Sequence, residues 1–154
     1  MTKDTSMRGS GAPTVVMADG DSPPPGGITD QVTIEMPADG AYLSVLRTAT
    51  AGLAARLDFT LDEIEDLRIA VDEACGMLLA QAAADANLEC DFTLGSDSIS
   101  IAVSAQSQQP RPPSRETFAW TVLSALAGNA DAWVGPGDKV TVLLRKVRES
   151  SRSG

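Results

Sequence analysis

Histidine is absent from this 154-residue chain, which removes the usual general base near neutral pH and the commonest zinc ligand. Aromatic residues make up only 4%, so the core has to be built mainly from Ala, Val, Leu and Ile. Cations are outnumbered, with 12 Lys and Arg against 21 Asp and Glu for a net charge of −9. A phosphate-reading face needs clustered Lys and Arg, so the balance argues against direct nucleic-acid binding. The modest basic concentration at Arg145, Lys146, Arg148 and Arg152 reads as a tail. No apolar run approaches the length of a membrane span. The opening MTKDTSMRGSGAP has no signal-peptide apolar stretch, so the cytoplasm is the expected location. Cys75 and Cys90 are the only cysteines; both fall in apolar periodic segments, where a thiol behaves as a small hydrophobe. Walker, GxGxxG, HExxH and nucleophile-elbow patterns are all missing.

What is present organises one domain of ordinary hydrophobicity, at 43%. Residues 1–30, rich in Pro, Gly, Ser and Asp, are expected to form a disordered leader, with Thr14–Met17 at most briefly ordered. Order is expected over 31–147, followed by a disordered tail at 148–154. QVTIEM alternates as a half-buried strand. Asp39 is a candidate N-cap for a helix whose Tyr42, Val45, Leu46, Ala49, Leu53 and Leu57 share one side. Thr60 and Glu63 match a reciprocal capping box, with Phe59 and Ile64 as its hydrophobic staple. The helix they open is expected to run through LLAQAAADA on alanine's propensity. LECDFTL and ISIAVSA read as a hairpin about Gly95–Ser98. The loop AQSQQPRPPS precedes a third helix from Ser114, with Phe118, Val122, Ala125 and Leu126 as its apolar face and Gly128 and Asn129 as its stop. A short strand near Trp133, the turn GPGD and the strand KVTVLLRKV close the chain. Short turns make neighbouring strands antiparallel. The expected architecture is a two-layer α/β sandwich, a four- to five-stranded, mostly antiparallel sheet covered on one face by three helices.

The central helix is the candidate site. Glu63, Asp66, Ala70, Glu73 and Met77 lie three or four apart and share a stripe distinct from Ile64, Leu67, Val71, Ala74 and Leu78. Two readings stay open at this point. The stripe is either the solvated side of an ordinary helix, or it brings the Glu73 carboxylate to a pocket beside Ala70 and Met77. Two or three oxygen ligands on one helix make a poor magnesium or calcium site unaided.

With LRIAVDEAC on that helix, and GDKVTVLLRK closing the sheet, the chain resembles the anti-sigma factor and serine-kinase group of the GHKL ATPase superfamily, the RsbW-like and SpoIIAB-like proteins, in its actinobacterial branch. The resemblance covers about Val32 to Val147. It implies a helix-covered sheet of the Bergerat type, with ATP and magnesium held between helices and a lid. The family's general-base Glu maps to Glu73, and its metal-holding Asn, four residues later, falls on Met77. A thioether is no substitute for an amide oxygen on magnesium. The family's Asp-x-Gly-x-Gly adenine loop corresponds to SAQSQQPRPPS, which has neither the Asp nor a glycine. Proline offers no amide to a phosphate.

The function so implied is an anti-sigma factor that sequesters an alternative sigma factor of RNA polymerase and yields it to a STAS-domain anti-anti-sigma partner. Homodimerisation belongs to the same resemblance. No cofactor is expected, and Glu73 remains as a catalytic position without its machinery, since phosphoryl transfer depends on positioned phosphates and metal more than on a base. The alternatives are an active serine kinase using ATP and magnesium on an anti-anti-sigma protein, and a non-enzymatic adaptor with another protein partner. The negative charge suits a basic partner, speeding encounter more than it adds affinity.

Overall fold

The structure, a computed structural model, describes residues 14–17 and 30–149. In chain order the elements are β1 (Thr14–Met17), β2 (Asp30–Pro37), α1 (Leu43–Arg56), α2 (Leu61–Leu79), β3 (Asn87–Leu94), β4 (Ser98–Gln106), α3 (Phe118–Ala127), β5 (Asn129–Gly135) and β6 (Lys139–Val147). Single 3₁₀ turns, Gly40–Tyr42 and Pro136–Asp138, lead into α1 and β6. The strands make one antiparallel sheet in the order β1-β2-β3-β4-β6-β5. The two-layer α/β sandwich is therefore present, its sheet having six strands among the described residues rather than four or five. The additional strand is Thr14–Met17, which pairs with Val32–Glu35. Apart from those four residues, Asp30, Arg148 and Glu149, the expected leader and tail lie outside the described residues.

Residues directly opposite across a sheet share a face. Ile34, Cys90, Val103, Val142 and Ala132 form one such row, and Val32, Phe92, Ile101 and Leu144 form the next. Every member is buried under the helices, and each such aliphatic or aromatic side chain contributes roughly 1.5–3 kcal/mol by leaving water. The alternate row, Glu35, Glu89, Ser104, Thr141 and Trp133, lies on the helix-free face. There Lys139 Nζ donates to Glu89 at 2.9 Å, and the Ser104 and Thr141 hydroxyls meet at 2.8 Å.

α2 begins where its sequence says it should. Thr60 Oγ1 accepts from the Glu63 N–H at 3.1 Å, and Glu63 Oε1 accepts from the Thr60 N–H at 2.8 Å. Thr60→Ala should lower stability by about 1 kcal/mol. A urea titration with an unchanged midpoint would remove the cap from the account. The buried face of α2 takes in Leu67, Ala70, Val71, Ala74, Cys75 and Leu78. It is broader than the spacing predicts, because α1 and α3 pack along both flanks of α2. Ala70, expected on the acidic stripe, belongs to the core.

Two helix expectations are corrected. α2 stops at Leu79 instead of continuing through the alanines. The Ala83 N–H donates to Gln106 O at 2.9 Å, Ala82 bridges to Ser107, and Asp85 sits at φ 64. Pairing with the end of β4 outweighs alanine's local preference. α3 starts at Phe118, capped by Thr117, rather than directly after Ser114, and it buries Trp120, Leu123 and Ala127. Of the expected face, Leu126 packs against the core but Phe118 is 81% exposed. A segment as uniformly apolar as FAWTVLSALA has no decisive period. Burying the larger indole settles its orientation, with the Arg115 guanidinium 4.7 Å from the Trp120 ring centre.

Candidate functional site

Glu73 and Met77 lie one turn apart on α2 and are both half-buried, Met77 against the core. Beside them Asp72 accepts from Arg47 Nε through both carboxylate oxygens, at 2.9 and 3.0 Å. This contact joins α1 to α2. With 38% and 39% of the two side chains exposed, it orients the helices more than it stabilises them.

The segment 107–113 follows β4 and passes the C-terminal end of α2. Pro110, Pro112 and Pro113 carry no N–H, so the segment has four, at Ser107, Gln108, Gln109 and Arg111. Three of these donate within the protein. Ser107 N–H reaches Asp138 O at 3.0 Å, Gln109 N–H reaches Ser107 Oγ at 3.2 Å, and Arg111 N–H reaches Gln81 Oε1 at 3.2 Å. Gln81 makes two further bonds, accepting from Ser107 Oγ at 2.8 Å and donating from Nε2 to Arg111 O at 2.8 Å. Gln81 is the residue that sequence reasoning missed. The sequence carried no signal for it, since Gln81 falls inside the LLAQAAADA run that reads as continuous helix.

At the other end of α2, Glu63 is 7% exposed and does two jobs. Its Oε1 completes the capping box, and its Oε2 accepts from the Glu149 N–H at 2.9 Å, tying down the chain beyond β6. Burial works to raise its pKa, but the N–H groups of Thr60 and Glu149, the Thr60 hydroxyl and the charge of Lys146 outweigh it, so the carboxyl lies below its ordinary value. Cys75 and Cys90 are buried and unpaired by disulfide. Burial, with Asp72 adding and Arg47 opposing, pushes the Cys75 thiol up to about 12; burial also pushes Cys90 well up. Neither is a nucleophilic thiolate at neutral pH.

A cavity of about 470 Å³ opens beside Arg47 and Arg68, and two more flank the sandwich; none of the three is lined by Glu73. One, of about 320 Å³, opens on the helix-free face beside Glu35, Glu89 and Lys139. The other is an apolar groove of about 600 Å³ between α1 and β2, lined by Val32, Ile34, Val45, Ala49 and Leu53. Among the described residues no group of three or more Cys, Asp or Glu is placed to hold a metal ion. Nor is any described helix long and apolar enough to cross a membrane.

No family model matches the chain. Individual relatives do. The anti-sigma-F factor RsbW of Mycobacterium tuberculosis is 31% identical over 135 residues, covering 86% of this chain and 77% of that protein. The serine-protein kinase RsbW of Bacillus velezensis is 40% identical over 58 residues, and that of Bacillus subtilis 46% identical over 46 residues. Those two matches span 36% and 29% of the Bacillus proteins, about a third of their length.

Proposed function

The chain belongs to the RsbW family of anti-sigma factors and serine-protein kinases, and from that premise we propose that it is an anti-sigma factor which holds an alternative sigma factor without using ATP. The Mycobacterium relative, matched over most of both chains, is itself named an anti-sigma-F factor. The reading takes the sandwich as a GHKL-type shell, the partner as a sigma factor, and release as competition by a STAS-domain anti-anti-sigma protein. Homodimerisation is part of the same proposal.

The observation that carries the ATP-independence is the amide account of 107–113. The family's nucleotide loops, the adenine loop and the phosphate-wrapping segment that should precede the third helix, need backbone N–H groups free to converge on phosphate oxygen. In this chain 107–113 is what runs up to Ser114 in their place. Here three positions have no N–H and three of the remaining four are already donated inside the protein. The donor set for magnesium is equally unsuited, since Met77 offers sulfur where a hard cation takes oxygen. These residues do not fit a magnesium–ATP complex, and Glu73 is left on α2 as a carboxylate without a phosphoryl group to act upon. The serine-kinase alternative draws on the names of the Bacillus relatives, over a short stretch.

Calorimetric titration with a magnesium–ATP analogue separates the two. No binding below millimolar concentration is expected, and capture of the sigma factor should be equal with and without nucleotide. Micromolar binding of the analogue, or loss of STAS-protein phosphorylation in Glu73→Ala, would transfer the case to the kinase.

A further inference from the structure

The family relationship leaves open what orders the 107–113 segment in a chain that does not use nucleotide. We infer that the Gln81 carboxamide is a built-in latch that fixes this segment against the end of α2 with no ligand required. In its regulatory consequence the inference rests on the ATP-independent reading above.

The geometry is that of a strand pairing made by one side chain. A primary amide carries a donor and an acceptor in one plane, as a peptide group does. Gln81 uses both on Arg111, giving Nε2–H to its carbonyl at 2.8 Å and taking its N–H at 3.2 Å. The same Oε1 takes the Ser107 hydroxyl at 2.8 Å, and Ser107 Oγ in turn accepts from the Gln109 N–H at 3.2 Å. On the far side Ser107 N–H is held by Asp138 O, and Gln106 Nε2 donates to Gly137 O at 3.0 Å. The segment is thus clasped between the end of α2 and the β5–β6 turn. Its three prolines reduce the freedom that the clasp has to overcome. α2 ends at Leu79 rather than running on, which puts Gln81 beyond the helical ladder and within reach of the loop.

A ligand shifts a conformational equilibrium only by its differential affinity for the two states. A segment already latched from within gives nucleotide little to order. Partner exchange then has to be driven at the partner surface, by competition, and not by opening and closing of this segment.

The test is residue-resolved amide exchange on the full chain, with Gln81→Ala and Gln81→Glu. The alanine variant should exchange the Arg111 N–H about tenfold faster, with the β3–β4 core unchanged as the internal check on folding. The glutamate variant keeps the acceptor but loses the Nε2 donor, so its Arg111 exchange should fall between the two. A magnesium–ATP analogue should leave wild-type exchange over 107–111 unaltered. Arg111 exchange equal to wild type in Gln81→Ala overturns the latch, and nucleotide-induced protection of the wild-type segment overturns its regulatory consequence. The two readings fail separately. Nucleotide binding by calorimetry with a Gln81-dependent loop removes the ATP-independent function and keeps the latch. No binding with a Gln81-independent loop does the reverse.

Discussion

Phe92→Ala should cost about 3–5 kcal/mol of folding stability, among the largest effects of a single truncation in this domain. Phe92 is completely buried on the helix-covered face of β3, between Val32 on β2 and Ile101 on β4. Two terms add: the transfer free energy of the ring, and the cavity left where neighbours cannot close in. Closing in is hard here because both flanking residues are fixed in a continuous antiparallel ladder. Domains of this size have about 5–15 kcal/mol in total, so the variant should lose a large fraction of its stability. Urea unfolding should show a lower midpoint with an unchanged slope. A loss under about 1 kcal/mol would mean that the row across the sheet is not packed as described.

That row was legible because a strand has only two faces. Once Val32, Ile34 and Met36 alternate with polar neighbours, the side chains under the helices are decided. The same holds for Leu88 to Leu94 and for Ile99 to Val103, and their short connection at Gly95–Ser98 closes with the Gly95 N–H on Ser98 O at 2.8 Å. The start of α2 was legible for a different reason, since a capping box is a contact between residues three apart and needs no tertiary information.

Where the sequence misled, the deciding contact was long-range. The alanines after Leu79 favour helix locally, yet the backbone of Ala82 and Ala83 is recruited by Ser107 and Gln106. Apolar residues cover most of α3, with only Thr121 and Ser124 polar, so it is the packing of Trp120 that identifies its inner face. Thr50 is buried despite its hydroxyl, which donates to Leu46 O at 2.7 Å. At the candidate site the position of Glu73 on α2 could be read from spacing, whereas its surroundings could not. The Arg47–Asp72 pair spans two helices and Gln81–Arg111 joins the turn after α2 to a loop, and neither leaves a periodic trace in the chain.

Glu63→Ala is expected to cost about 2 kcal/mol near neutral pH, more than loss of the Thr60 hydroxyl. A nearly buried carboxylate that accepts N–H bonds at both oxygens holds two separated backbone points, Thr60 and Glu149, and hydrogen bonds to charged groups contribute roughly 1.5–3 kcal/mol. The sign with pH follows from the direction of its shift. The folded-state pKa lies below the ordinary value of 4.5, so the native state favours the ionised form. The contribution is fully present above the unfolded-state pKa and is lost as pH falls through the lower, folded one. Wild type and Glu63→Gln should therefore differ most above about pH 5 and converge as acid protonates the native carboxyl. Urea midpoints for the pair across pH 7 to 3 measure this directly. A gap that widens on acidification would show that the Glu63 carboxylate is not what ties the start of α2 to the chain beyond β6.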